Sequence, residues 1–165
     1  MRRALIISLA ALALSGLPLA ACHKRAPDQS SAAKAFMAQN ARQPGVHVLP
    51  DGLQYKVVRS GPPDGLRPQL GDEVKVNYEG KLIDGQVFDS SYQRGVPAAM
   101  PLKGLIKAWQ EALQLMRPGD EWILYVPPEL GYGAEGAGPI PPGAALVFRI
   151  ELIGVLPGQG RVGQG

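Results

Sequence analysis

Residues 74–82, V-K-V-N-Y-E-G-K-L, alternate apolar with polar or charged side chains along the whole segment. A period of two places the apolar side chains together on one face of a β-strand. A strand with one apolar and one charged face is typical of an antiparallel sheet that is buried on one side only. Asp84-Gly85 follows as a hairpin-turn pair, so residues 86–89 are predicted to start the next strand.

Three further segments have large apolar side chains at every second position and complete the predicted sheet. They are residues 53–57, 122–126 and 146–152. The chain also contains 21 glycines and 16 prolines, which favour many turns and short strands over long helices. The sequence therefore predicts about five strands.

One segment of the same region has a helical period instead. Its apolar residues recur at steps of three and four, at Ile106, Trp109, Leu113 and Met116. These steps place them on one face of an amphipathic helix, which Arg117-Pro118-Gly119 ends. About five strands and one short helix predict an α+β fold, in which a curved antiparallel sheet wraps around the helix.

The composition is that of a globular protein with little net charge. At 165 residues the chain is long enough for one domain of ordinary size. It has 17 Lys and Arg against 14 Asp and Glu, a formal net charge of +3. Two of the basic residues, Arg2 and Arg3, lie in a segment that we expect to be removed. The near balance that remains excludes the basic surface of a nucleic-acid-binding domain.

The N terminus has the pattern of a secretory signal. Two arginines precede an apolar stretch over residues 4–17, which is shorter than the roughly 20 residues that a membrane-spanning helix needs. Leu19-Ala20-Ala21-Cys22 resembles the bacterial lipobox, in which the cysteine is acylated and becomes the new N terminus. We expect lipidation at Cys22; an ordinary signal peptide with a free thiol is the alternative. His23 is not the aspartate that retains lipoproteins at the inner membrane, so the outer membrane is favoured.

These patterns predict a layout of four parts. They are a lipoprotein signal peptide over 1–21, a tether over 22–45, a folded domain over 46–156 and a disordered tail over 157–165. Within the tether, Ser30 or Ser31 is a candidate N-cap for a short helix through about Arg42. A frayed spacer is the alternative for that segment.

The domain lacks the residues that metal or nucleophilic catalysis requires. His23 and His47 lie in or near the tether, and the only cysteine belongs to the lipobox. Neither a zinc ligand set nor a histidine-activated nucleophile can therefore form, and we expect no metal and no cofactor. Gly131, Gly133 and Gly136 have a dinucleotide-loop spacing but lie outside a βαβ unit. Asp72-Glu73 is interpreted as a pair of solvated turn residues.

Four blocks of the domain resemble the FKBP-type peptidyl-prolyl cis-trans isomerases. In chain order they are V-x-Y-x-G-x-L-x-D-G-x-x-F-D-S-S at 76–91, L-I-x-x-W-x-E-A-L at 105–113, V-P-P-x-L-x-Y-G at 126–133 and I-P-P-x-x-x-L-x-F at 140–148. The short link between Met100 and Ile106 is similar to that of the bacterial macrophage infectivity potentiator branch. The resemblance implies an FKBP-like fold and catalysis of X-Pro isomerisation in unfolded or exported polypeptides. An FKBP-like chaperone or binding module with little isomerase activity is the alternative.

The resemblance also implies a pocket for the prolyl ring. Its catalytic residues would be Tyr78, Phe88, Asp89, Ile106, Trp109, Tyr132 and Phe148. Its further substrate-binding residues would be Met100, Leu105, Ile140 and Arg94. Macrolides such as tacrolimus and rapamycin are the inhibitors that the family implies, and Met100 stands where the family usually has phenylalanine.

Roles within that pocket follow from the same resemblance. Trp109 would form the floor, and the Ile106 N–H and the Tyr132 hydroxyl would bind carbonyls of the peptide. Asp89, supported by Arg94 or Tyr78, would place a polar group beside the twisting amide. Without the resemblance, the aromatic residues are interpreted equally well as core and Asp89 as a turn residue.

Overall fold

A computed structural model describes residues 26–158 of the chain. Within this range the helices are α1 (Ser30–Asn40), α2 (Ser91–Arg94) and α3 (Lys107–Leu115). The strands are β1 (Val46–Val48), β2 (Gln54–Arg59), β3 (Glu73–Leu82), β4 (Val87–Ser90), β5 (Ala98–Pro101), β6 (Glu121–Val126) and β7 (Leu146–Leu156). Short 3-10 segments lie at Leu102–Gly104 and Pro128–Leu130.

The described strands form one antiparallel sheet in the order β1-β2-β6-β7-β3-β4. β5 also pairs with β3, further along the edge that β4 occupies. The predicted α+β fold is confirmed, with β1 and β5 in addition to the five strands that alternation indicated. These two have only three and four residues, too few for a period of two to stand out in the sequence.

The inner face of the sheet and α3 form the core. Along β3, Val74 and Val76 are fully buried, whereas Lys75 between them is exposed. The predicted helix face is also buried, with Leu113 fully enclosed and Trp109 only 4% exposed. Burial of one such leucine side chain stabilises the fold by about 1.5–3 kcal/mol. The alternating strands and the amphipathic helix therefore stabilise each other.

The segment before the sheet is an ordered helix, α1, and not a frayed spacer. Its Asn40 side chain donates to Oε1 of Gln54 at 2.9 Å, and Gln54 Nε2 donates to the Met37 carbonyl at the same distance. The Phe36 ring lies 6.1 Å from that of Tyr125 in β6. The proposed serine cap is wrong: Gln29 is the N-cap and makes no side-chain hydrogen bond there.

Asp72 is not the solvated turn residue that the sequence suggested. It is 2% exposed, and its carboxylate accepts hydrogen bonds from the N–H groups of Gln69 and Gly158 at 2.8 and 2.9 Å. These bonds join the turn before β3 to the segment that follows β7. A buried carboxylate is tolerated here because backbone donors replace the water that it loses.

The expectations for the signal peptide, for Cys22 and for most of the predicted tail concern residues outside the described range. Among residues 26–158, no helix is both long and apolar enough to cross a bilayer.

Candidate active site

A cavity of about 300 Å³ opens between the inner face of the sheet and the start of α3. Its lining residues are Tyr78, Phe88, Asp89, Met100, Gly104, Leu105, Ile106, Trp109, Tyr132 and Phe148. The structure thus brings together nine of the eleven pocket residues that the resemblance indicated. Ile140 and Arg94 are not in its lining, and Gly104 is a lining residue that the sequence did not indicate.

Trp109 lies on the side of the cavity formed by α3, wedged between two rings of the sheet. The Tyr78 ring meets it edge to face at a centroid distance of 5.1 Å, and the Phe148 ring does so at 5.3 Å. Such edge-to-face contacts are favourable because the positive ring edge faces the negative π-surface. The indole is therefore held in one orientation while it still contributes to the cavity surface.

Phe88 and Phe148 form an aromatic wall beside this indole. Their rings are 5.6 Å apart and nearly perpendicular. Both rings lie over Gly80 in β3, whose missing side chain leaves the space that they occupy. A glycine in a strand interior commonly marks such a close approach.

A polar group closes one side of the cavity. The Tyr78 hydroxyl donates to Oδ2 of Asp89 at 2.5 Å, and Arg94 forms an ion pair with Oδ1 of the same carboxylate. Arg94 Nη2 also donates to the Tyr78 oxygen at 3.0 Å. Although Arg94 does not line the cavity, it holds the carboxylate that does.

These contacts separate the pKa values of the two groups. Burial and the hydrogen bond to Asp89 raise the pKa of Tyr78. Burial would also raise the pKa of Asp89, but hydrogen bonds from Tyr78 and Arg94 outweigh it and lower that pKa. At neutral pH the site therefore presents an ionised carboxylate beside a neutral phenol.

The backbone at the start of α3 supplies a hydrogen-bond donor. Ile106 is the N-cap residue, and no hydrogen bond within residues 26–158 uses its N–H. The Gln110 side chain donates to the carbonyls of Lys103 and Leu105 at 3.1 and 2.7 Å. The bond to Leu105 fixes the peptide plane that also carries the Ile106 N–H, because that plane is rigid.

The long loop after β6 carries two of the predicted pocket residues, Tyr132 and Ile140, and only the first lines the cavity. Tyr132 lines the cavity and is 38% exposed, so its hydroxyl can meet a ligand. Ile140 is 6% exposed and packs in the core, where its backbone pairs with Ala137. Ile140 therefore packs the loop against the core and does not line the cavity.

The described lining of the cavity combines apolar side chains with a few hydrogen-bonding groups. Among residues 26–158, no three His, Cys, Asp or Glu side chains cluster as metal ligands. The cavity offers rings, a carboxylate, a phenol and a backbone donor. It can bind a compact apolar ring and hydrogen-bond the amides on either side of it.

Comparison with known proteins assigns the chain to a family. The family model described as FKBP-type peptidyl-prolyl cis-trans isomerase matches residues 65–153, more than half of the chain. The chain belongs to the FKBP-type peptidyl-prolyl cis-trans isomerase family. A second model, the domain amino terminal to FKBP-type isomerases, matches residues 19–57 of this FKBP-type chain.

Several relatives are similar to this FKBP-type chain over its folded part. "Peptidyl-prolyl cis-trans isomerase Mip" of Coxiella burnetii is 57% identical, with 74% of this chain and 53% of the relative covered. "Outer membrane protein MIP" of Legionella longbeachae is 44% identical, with 81% and 57% covered. The chain thus spans little more than half the length of these curated relatives. The crystal structure of a peptidyl-prolyl isomerase from Pseudomonas syringae superposes with a TM-score of 0.71 at 41% identity, over 78% of this chain and 93% of that one.

Proposed function

We propose that this FKBP-type chain catalyses cis-trans isomerisation of X-Pro bonds in unfolded or exported polypeptides. The observation that carries the proposal is the cavity that Trp109 lines, because its size and apolar walls suit a prolyl ring. Membership of the isomerase family and the names of its relatives support the same activity.

The reaction explains why a site without a nucleophile is sufficient. Rotation about an X-Pro bond must overcome a barrier of about 18–20 kcal/mol that arises from C–N double-bond character. The twisted amide has lost that resonance and its charge separation, so an apolar cavity favours it over the planar form. A millionfold acceleration needs only about 8 kcal/mol of such preference.

Individual residues then have defined roles. The prolyl ring rests on Trp109, beside the wall that the Phe88 and Phe148 rings form. The Ile106 N–H and the Tyr132 hydroxyl bind the peptide carbonyls. Met100 and Leu105 complete the apolar wall.

The ionised Asp89 carboxylate stabilises the twisted amide electrostatically. As the amide turns out of plane, its carbonyl carbon keeps partial positive charge that resonance no longer offsets. A fixed carboxylate at the cavity wall favours that charge distribution. Arg94 and Tyr78 hold the carboxylate in place, so its orientation is set before the substrate binds.

The proposed location is the cell envelope. A lipid on Cys22 would anchor the domain at the outer membrane, facing the periplasm, where exported polypeptides fold. The lipobox residues and the name of the Legionella relative support this location. Incorporation of labelled palmitate into the full chain, lost in Cys22→Ser, is the expected result; equal labelling of both chains would contradict it.

Refolding of a proline-limited substrate protein tests the activity. The full chain should accelerate the slow phase, which otherwise takes tens to hundreds of seconds. Rapamycin, which the family resemblance suggests as an occupant of the same cavity, should suppress the acceleration. Binding of the unfolded substrate without any acceleration would contradict the proposal and favour a binding module.

A further inference from the structure

Ser91, the first residue of α2, fills a gap along one edge of β3. That edge pairs with β4 at residues 79–81 and with β5 at residues 73–76. Tyr78 lies between the two paired stretches. In the register of the β3–β4 pair Ser91 would be its partner, but the chain has already turned into α2 at that point.

The Ser91 side chain makes the contacts that a strand partner would make. Its Oγ accepts a hydrogen bond from the Tyr78 N–H at 2.8 Å. The same hydroxyl can donate to the Tyr78 carbonyl at 3.3 Å or to Oδ1 of Asn77 at 3.4 Å. Ser91 is fully buried, so water cannot replace these bonds. Loss of the hydroxyl would leave the Tyr78 backbone without its partner on this edge.

The segment from Asp89 to Arg94, which joins β4 to α2, also carries the carboxylate that closes one side of the cavity and the guanidinium that holds it. Asp89 lies two residues before Ser91, and Arg94 lies three residues after it. Both contact the hydroxyl of the tyrosine whose backbone Ser91 holds. The segment from Asp89 to Arg94 thus contacts Tyr78 twice, once at its backbone and once at its side-chain hydroxyl.

We propose that Ser91 is a positioning residue for the isomerisation proposed above. Its hydroxyl holds α2 against β3 and so fixes how Tyr78, Asp89 and Arg94 meet at the cavity wall. Ser91 itself does not line the cavity, so it acts only through these neighbours. The inference rests on the proposed function for its effect on rate, but its structural part can be measured independently.

The first test compares Ser91→Ala with Ser91→Thr in a proline-peptide isomerisation assay. The alanine variant should lose kcat/KM on the order of tenfold, and the threonine variant, which keeps the hydroxyl, should recover most of it. Ser90→Ala is the matched control. Within residues 26–158 the Ser90 Oγ accepts from the Gln93 N–H at 3.3 Å as the N-cap of α2, and this variant should keep the wild-type kcat/KM.

A double-mutant cycle with Tyr78→Phe separates positioning from simple loss of stability. Because the Tyr78 hydroxyl joins the Asp89–Arg94 pair to β3, the loss of kcat/KM caused by Ser91→Ala should be smaller in the Tyr78→Phe background. Its effect on Tm should be the same in both backgrounds. Wild-type kcat/KM in Ser91→Ala, or an equal loss in both backgrounds, would overturn the proposal.

NMR of the tyrosine rings keeps the two proposals distinct. An inactive wild-type chain would overturn the proposed function. The positioning role would then be decided by the NMR signal of the Tyr78 ring. The ¹³Cζ resonance of Tyr78, assigned by its loss in Tyr78→Phe, should move in Ser91→Ala and stay in place in Ser91→Thr. An unmoved resonance in Ser91→Ala would overturn the positioning role whatever the activity.

Discussion

Gly80 has no side chain, and the Phe88 and Phe148 rings occupy the space where one would lie. A Cβ at this position would be 2.7 Å from atoms of both rings. We expect Gly80→Ala to displace the aromatic wall, to destabilise the fold by about 1–3 kcal/mol through overpacking and to lower isomerisation. Gly154→Ala is the matched control, because its Cβ would meet nothing within 4 Å in strand β7. Equal kcat/KM for both variants would show that the wall does not need this glycine.

The pH dependence of activity follows from the Tyr78 and Asp89 pair. The pKa of Asp89 lies below its usual value of 3.8, and that of Tyr78 lies above 10. The stabilising contact of the carboxylate is present above the unfolded pKa and is lost as the pH falls through the lower, folded value. We therefore expect kcat/KM to be constant between about pH 5 and 9. If kcat/KM instead changed near pH 7, and the change persisted in Asp89→Asn, another titrating group would control the rate.

The contacts of some individual residues could not be predicted from the sequence. The resemblance to the FKBP-type family indicated the aromatic wall residues and Asp89, because each motif that carries it is contiguous in the chain. Ser91 and Gln110 were assigned no role, since each acts by bonding backbone atoms of another segment. Asp72 was misjudged for the same reason: its donors include Gly158, 86 residues away. Contacts of this kind leave no period in the sequence.

At the scale of elements, alternation and helical period predicted every long strand and α3. β1 and β5 were missed as separate strands because each has too few residues for a pattern. The N-terminal segment was ambiguous because only Phe36 and Met37 are large and apolar in α1. Its order depends on Asn40, Gln54 and Tyr125, which become neighbours only when the sheet forms.

Helix α3 is linked to the turn between β1 and β2 by two carboxyl groups. Burial and a hydrogen bond with Asp51 raise the pKa of Glu111 to about 7. The folded state therefore binds more protons than the unfolded state between pH 4.5 and about 7, and stability should fall as the pH rises through that window. Glu111→Gln keeps a neutral hydrogen-bonding group, so it should remove this decline and be more stable than wild type at pH 8.

Urea unfolding at several pH values measures this effect. Asp64→Asn, a change at an exposed loop carboxyl, is the control and should retain the wild-type decline. A wild-type stability that rises from pH 5 to pH 8 would contradict the raised pKa of Glu111.

For the whole molecule, the sheet and α3 enclose a buried core that opens into a cavity at the start of the helix. The buried strands carry Tyr78 and Phe148, while β4 and the loop after β6 bring Phe88, Asp89 and Tyr132 to the cavity. A scaffold of this kind can supply pre-organised electrostatics and apolar contact without a reactive group. The central claim is that this cavity itself lowers the barrier to proline isomerisation.

NMR exchange spectroscopy of a short proline peptide tests that claim most directly. Catalytic amounts of the chain should produce exchange peaks between the cis and trans forms, and the Trp109 indole resonance should shift as peptide is added. Phe88→Ala and Asp89→Ala should weaken the exchange while the variants remain folded. Absence of exchange peaks with a folded wild-type chain, or undiminished exchange in both variants, would contradict the account.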